Sequence, residues 1–404
     1  MSMKMPPQPE LRVEQGAFRR LPALLAERGC TQPVLVTGGS SVRQREEWSV
    51  VTSTLQSQGV SYLDFRVQGE PSPELVNAVL ADISKKAPKS DVVVAVGGGS
   101  VLDAGKAIAA GVALMRAPSS GVSETLGVTE PGASRASAAP SAPAFDITRY
   151  LEGVGDLTPD GATLPVIAFP TTAGTGSEAT MNAVLSRIGA DGFKKSLRHP
   201  GFVPQLAVLD PDLFSGCPAN VTRASGLDAI TQLLEAYTST KTNPMVDTLA
   251  ELGLTHAGGA FPRLLEGEDT PELRASMALA AYLSGVCLAA AGLGVVHGFA
   301  SPLGALRDIP HGVVCGMLLG PVMRASLSFA PLPRYDRAAQ LLGVGDSADA
   351  AIEQIESWAM PLGRLGDFGF VSGDLPGIVA DTSLKNHPVQ LSNDSLTAIL
   401  EEIL

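Results

Sequence analysis

The 404-residue sequence predicts an α/β N-terminal half built on a parallel β-sheet, followed by an all-α C-terminal half. Three observations carry that prediction. Up to residue 208, short apolar runs alternate with helix-periodic segments, the β–α–β rhythm of a doubly wound sheet. Two of the apolar runs end in loops rich in Gly, Thr and Ser. Beyond residue 215 the pattern is helical, with no convincing strand. The boundary falls near 205–215 and divides the chain into domains 1–208 and 209–404.

The elements follow in order. PVLVTG (33–38) is a buried strand ending in glycine, and residues 41–58 read as a helix. SYLDFRV (61–67) is a second strand, and PELVNAVLADISKK (73–86) carries apolar residues at helical spacing. DVVVAVGGG (91–99) is a fully buried parallel strand running into a glycine triplet, and SVLDAGKAIAAGVAL continues as a helix. Residues 117–144, rich in Ala, Ser, Pro and Gly, read as a long mobile surface loop. Order resumes at ITRYLEG (147–153), and LPVIAFPTTAG (164–174) is another strand entering a loop. AVLDPDLFSGCPA (207–219) reads as punctuation between the halves. PELRASMALAAYLSGVCLAAAGLG (271–294) and DSADAAIEQIESWAMPLGRLGDF (346–368) typify the helices beyond it.

Composition excludes several functions. Hydrophobic residues make up 45% of the chain and charged residues 17%, so most of it is expected to pack. The net charge of −12 argues against nucleic acid, whose phosphates demand a basic face. A small-molecule ligand is the expected partner. Cys30, Cys217, Cys287 and Cys315 are scattered with no C-x-x-C pair and read as small buried residues rather than a disulfide framework. The N-terminal MSMKMPPQPELRVEQ has no apolar core of the secretory kind. The Ala- and Gly-rich run before His297 reads as a core helix rather than a membrane span. A cytoplasmic protein is the resulting expectation.

Three segments have the chemistry of a phosphate- or ribose-binding surface. In GGGSVLDAGK, Gly97, Gly98 and Gly99 lie between a strand and a helix. There the backbone can approach a phosphate, and the helix N-terminus offers N–H groups. Ser100 adds a hydroxyl, and Asp103 lies in the first helical turn, within reach of a ribose. The spacing is neither G-x-G-x-x-G nor a P-loop, and an ordinary tight turn is the bland alternative. FPTTAGTGSEAT supplies Thr171, Thr172, Thr175 and Ser177 after another strand. Alone it is an ordinary polar loop. Paired with the glycine loop in one parallel sheet, it points to a dinucleotide at the carboxyl ends of the strands. At the end of the first strand, Gly38, Gly39 and Ser40 stand where an acidic residue would hold an adenosine ribose. With Arg43 and Arg45 following, this suits a 2′-phosphate, hence NADP over NAD.

A fourth constellation has the makings of a metal site. Asp228 and Gln232 lie four apart on a helix face, and His297 and His311 lie fourteen apart near apolar residues. One carboxylate and two imidazoles can hold Zn²⁺ or Fe²⁺ with room for substrate. Two satisfied core histidines are the bland alternative.

Taken together, GGGSVLDAGKAIA, FPTTAGTGSEAT, VLDPDLF, ASGLDAITQLLEAYTS and HGFASPLGALRDIPHG resemble the iron-containing (group III) alcohol dehydrogenase family, over nearly the whole chain. The resemblance implies that family's dehydroquinate synthase-like fold, with the nicotinamide cofactor and a metal in the cleft between the domains. By position, its ligand quartet of one aspartate and three histidines falls on Asp228, Gln232, His297 and His311. Its pyrophosphate loop falls on Gly97–Ser100 with Asp103 beside it. Its nicotinamide-side loop falls on Thr171, Thr172, Thr175 and Ser177. Gly38 takes the place of the acidic residue after the first strand.

Two residues depart from the family's pattern. Gln232 replaces a histidine ligand with a weaker amide, and Ser301 replaces another active-site histidine. The implied activity is reversible interconversion of an alcohol and its aldehyde or ketone with NAD(P), a metal assisting, in a homodimer. Two rivals stay open. One is a metal-independent reductase like maleylacetate reductase, with Gln232 and His297 polarising a carbonyl. The other is a nucleotide-binding protein without catalysis.

Overall fold

A strand with no polar interruption must be covered on both faces, and the first half of the chain supplies helices for both. In the computed structural model, which describes residues 5–116, 145–189 and 192–404, this half runs β1 (Glu10–Val13), α1 (Leu21–Glu27), β2 (Pro33–Thr37), α2 (Glu46–Ser57), β3 (Leu63–Arg66), α3 (Pro73–Lys86), β4 (Val92–Gly97), α4 (Gly99–Arg116) and β5 (Val166–Pro170). Then come β6 (Asn182–Arg187), β7 (Phe193–Arg198) and β8 (Leu206–Leu209). Six strands form one sheet in the order β1-β8-β5-β4-β2-β3, and every pairing is parallel.

Alternate residues of β4 show why the run is continuous. Val92, Val94 and Val96 join a core with Phe18, Leu21, Trp48, Val51 and Leu55 on one face. Val93 and Ala95 face the other way, into a core with Val76, Leu80, Ile83 and Ile108. The period of two along the strand thus feeds two helical layers.

The predicted strands and helices form, α3 with the expected ends and the others with shifted ones, and three features depart from expectation. The helix expected over 41–58 starts at Glu46, because Arg45 before it has extended backbone. The run at 207–219 is more than punctuation: its first residues belong to β8, which inserts between β1 and β5. β1 and the antiparallel β6–β7 hairpin escaped the sequence reading, since their charged and polar residues leave no continuous apolar run. Residues 147–150 form a short 3₁₀ turn. The long loop expected over 117–144 lies outside the described residues.

The second half is helical among the described residues: α5 (Pro211–Phe214), α6 (Ala219–Thr238), α7 (Pro244–Leu265), α8 (Pro271–Ala291), α9 (Val295–Leu306), α10 (His311–Phe329), α11 (Pro333–Leu342), α12 (Ala348–Ala359), α13 (Leu375–Asp381) and α14 (Asn393–Ile403). Residues 226–238 of α6 are buried all round, which makes α6 the central helix of this half. α8 and α10 are long and apolar enough to cross a membrane, but 67% of each such stretch is buried inside the fold.

Two contacts fix the loop after β5 at the carboxyl edge of the sheet, one to the helical half and one to α4. Gly176 has φ +58°, and a side chain there would come within 2.5 Å of the Gly285 backbone, so the loop after β5 presses directly onto α8. Lys106, fully buried in α4, donates to the Ser177 carbonyl at 2.9 Å and the Thr180 hydroxyl at 3.2 Å, and lies 3.1 Å from Asp103. That ammonium is the staple between α4 and the loop. Replacing Lys106 by Met leaves the Asp103 carboxylate and the Ser177 and Thr180 oxygens without it. The expected cost is about 3–5 kcal/mol of stability, read from urea unfolding of the cofactor-free protein.

Candidate active site

The α6 helix places Asp228, Gln232 and Glu235 at i, i+4 and i+7, on one buried face. Opposite them α9 begins after a Gly292–Gly294 break, which puts His297 in its first turn. Pro310 precedes α10, so His311 opens that helix and Cys315 follows one turn later. Four donor atoms converge where these helices meet. Asp228 Oδ1 lies 3.4 Å from His297 Nε2 and 3.7 Å from His311 Nε2. Cys315 Sγ lies 3.7 Å from each of the same two nitrogens. All four atoms lie within 4.8 Å of one another.

The ring of His297 is tightly oriented. Its Nδ1 is 2.7 Å from Glu235 Oε2, and Glu235 Oε1 accepts the Val296 N–H at 2.7 Å. A carboxylate can only accept, so Nδ1 carries the proton and Nε2 faces the cluster. His311 is less constrained, since its Nδ1 has no hydrogen-bond partner among the described residues.

Electrostatics favour a cation at the centre. Burial pushes the Asp228 carboxyl up, but the His311 and His297 imidazoles and the Gln232 amide outweigh it and bring it down to about 2. Burial opposes charge on His297, yet Cys315, Glu235 and Asp228 hold it well above the usual imidazole range. Burial lowers His311 to about 4 and raises the Cys315 thiol to about 11. Thus a proton on His297 sits between two buried carboxylates, where a bound divalent cation would replace it. The donor set fits such an ion.

The geometry parts from the expected quartet at Gln232. Its Nε2 donates to Asp228 Oδ1 at 3.0 Å, and its Oε1 accepts from Ser284 Oγ at 2.7 Å. The amide oxygen is turned toward α8, and the residue acts as a clamp on the aspartate. Ser301, one turn after His297, lines the adjoining cavity.

A continuous cleft joins this cluster to the loops of the sheet. One cavity of about 250 Å³ is lined by His297, His311, Gln232, Ser301 and Lys194, and also by Gly99, Ser100, Asp103, Thr175 and Ser177. A second shares Gly99, Ser100 and Thr175 and extends along Gly98, Thr172 and Gly174. The two loops interlock: a side chain on Gly99 would come within 2.6 Å of Thr175, and the Thr171 N–H donates to the Gly97 carbonyl at 3.0 Å. Asp103 accepts from Ser177 Oγ at 2.6 Å, so that pair is preset. Gly38, Gly39 and Ser40 follow β2 at the same edge of the sheet, with Gly38 packed toward Val101.

Both arginines credited with a 2′-phosphate have other partners. Arg43 donates to Thr37 Oγ1 at 2.8 Å, pairs with Asp64 and stacks 4.9 Å over Trp48. Arg45 donates to the carbonyls of Asp212, at 2.7 Å, and Ser215.

Glu235 and Cys315 were missed by sequence reasoning. The signal for Glu235 was its place one turn past Gln232 on the same face. For Cys315 it was the four-residue step from His311.

Comparison with known proteins agrees with these observations. The profile "Iron-containing alcohol dehydrogenase" matches residues 8–211, and "Fe-containing alcohol dehydrogenase family, C-terminal" matches residues 222–404. The chain is 33% identical over 340 residues to the probable alcohol dehydrogenase EutG of Escherichia coli K12, covering 83% of this chain and 76% of that one. It is 28% identical over 405 residues to lactaldehyde reductase of the same organism, covering 96% and 94%. A crystal structure of 1,3-propanediol oxidoreductase superposes with a TM-score of 0.79 at 25% identity, covering 100% of both chains.

Beside the cleft, burial raises the Glu178 carboxyl from its ordinary 4.5 to about 7. Between those values the folded chain holds a proton that the unfolded chain has released. The stability this contributes is complete below about 4.5 and is lost as pH rises through 7. Glu178→Gln is therefore expected to gain thermal stability relative to the parent as pH rises from about 5 to about 8, in melts at matched ionic strength.

Proposed function

The chain belongs to the iron-containing alcohol dehydrogenase family, and on that premise we propose that it interconverts a primary or secondary alcohol and its aldehyde or ketone by hydride transfer with NAD(P), assisted by a divalent metal. The observation that supports this most is the cleft running from the glycine loop to the cluster of Asp228, His297 and His311.

Along that cleft Gly97–Ser100 receive the pyrophosphate on backbone N–H groups at the start of α4, and Asp103 stands beside the ribose. Thr171, Thr172, Thr175 and Ser177 orient the nicotinamide end against the substrate. Gly38, Gly39 and Ser40 leave the adenosine ribose without a carboxylate, and on this ground alone the preference is for NADP, since Arg43 and Arg45 are engaged elsewhere. Asp228, His297 and His311 hold the metal, Fe or Zn, Gln232 fixes the aspartate, and Glu235 fixes the His297 tautomer. A divalent ion there would polarise the substrate oxygen as a Lewis acid. The two helix-borne imidazoles converge on that position. Asn182, Lys194, Ser301 and Lys385 line the substrate end of the cavity.

The metal-free alternative finds less support, because the Gln232 amide that would polarise a carbonyl is already bonded to Asp228 and Ser284. We assign residues 1–208 to cofactor binding and 209–404 to metal and substrate, and place the enzyme in the cytoplasm as a homodimer.

Exhaustive chelation is expected to cut aldehyde-dependent NADPH oxidation about a hundredfold or more, with recovery on adding Zn²⁺ or Fe²⁺. Full activity after chelation would reject the metal, and no binding of either nicotinamide cofactor would reject the oxidoreductase. A lower KM for NADH than for NADPH would reject the NADP preference. Glu235→Gln is expected to weaken metal affinity about 10–100-fold in competition with a chromophoric chelator.

A further inference from the structure

We propose that Cys315 is the fourth metal ligand of this chain, a thiolate that takes over the coordination left by the glutamine at position 232. The inference rests on the metal reading above and identifies which atoms complete the site.

The geometry carries it. A tetrahedral ion with bonds of about 2.0–2.1 Å to nitrogen and oxygen and about 2.3 Å to sulfur sets ligand–ligand edges of about 3.4 Å for N–O pairs and about 3.6 Å for N–S pairs. In this structure the Asp228 oxygen lies 3.4 and 3.7 Å from the two imidazole nitrogens. The Cys315 sulfur lies 3.7 Å from each. Four edges of a tetrahedron are therefore formed by the protein's own packing.

Gln232 does not compete for the position. Its oxygen accepts from Ser284, and its nitrogen, a donor that no cation accepts as a ligand, is the atom nearest Asp228.

Helical spacing makes the placement of Cys315 robust, since one turn of α10 separates it from His311 and both point into the same gap. On binding, the Cys315 Sγ–H and His297 Nε2–H bonds break, the sulfur and the nitrogen bond to the ion, and both protons pass to solvent, while His297 keeps its Nδ1 proton toward Glu235. One carboxylate, one thiolate and two neutral imidazoles then balance a divalent cation in a site where Asp228 and Cys315 are fully enclosed, and the substrate oxygen of the proposed reaction would add as a fifth ligand from the cavity that His297 and His311 line. A thiolate also shifts metal choice: it favours zinc, and cobalt as its spectroscopic substitute, over magnesium and other hard ions.

The test uses the full-length protein, stripped by chelation and titrated with Co²⁺ alone. The expected result is one equivalent of bound cobalt by elemental analysis, with intense thiolate-to-cobalt charge-transfer absorption in the near ultraviolet. That absorption is expected to persist in Cys287→Ser, which removes another buried thiol. It should vanish in Cys315→Ser, with cobalt affinity at least about tenfold weaker and an unchanged far-ultraviolet circular dichroism spectrum. One equivalent of cobalt bound by the wild type without the charge-transfer band would overturn the proposal and leave the metal reading standing. Loss of the band in Cys287→Ser with its retention in Cys315→Ser would overturn it as well. No cobalt uptake by the wild type would overturn the metal reading itself. If Cys315→Ser fails to fold, absence of the band from the wild-type cobalt protein, or its loss in Cys287→Ser, still overturns the proposal.

Discussion

Three polar side chains on one buried face of α6 constrain the architecture around them. Asp228, Gln232 and Glu235 are removed from water, and each must find partners in the protein or destabilise it. Glu235 finds the first turn of α9 through the Val296 N–H and the His297 ring. Gln232 finds Ser284 on α8. Asp228 finds Gln232 and both imidazoles. The helices that supply those partners therefore cannot slide relative to α6 without stranding a charge. The site is a consequence of satisfying these groups.

The loops at the sheet edge obey a different constraint. Parallel strands bring all their carboxyl ends to one edge, so loops distant in sequence, after β2, β4 and β5, meet there. Their fit depends on missing side chains: Gly99 yields to Thr175, and Gly176 to the backbone of α8 at Gly285. The second contact reaches across to the helical half. Together with the Lys106 staple it ties the loop after β5 to both halves of the molecule, so that one cleft runs from the glycine loop to the histidine cluster.

Much of this was legible in the residues. DVVVAVGGG could only be a strand covered on two faces, because five apolar residues in succession feed both faces of a sheet. The α3 helix begins and ends where its periodicity does, at Pro73 and Lys86. Less legible were β1 and the β6–β7 hairpin, where alternating charge hides the strand pattern, and β8, whose four residues are too few to be distinguished from a loop. The arginines after β2 misled for a related reason. Sequence shows their charge but not that Asp64, Trp48 and two carbonyls engage it.

By itself, then, the sequence determined the two-part architecture, the loops at the sheet edge and the residues Asp228, His297 and His311, since each depends on local pattern or on the spacing of motifs. Only the tertiary structure decided what stands among them. The amide of Gln232 turns its oxygen to Ser284 because a buried carboxylate beside it demands a donor. Glu235 and Cys315 enter the site because helical rise carries them one turn onward to the faces where α6, α9 and α10 meet. A side chain's choice of partner is settled by three-dimensional proximity and the cost of an unpaired buried group, and neither quantity is written in a one-dimensional chain.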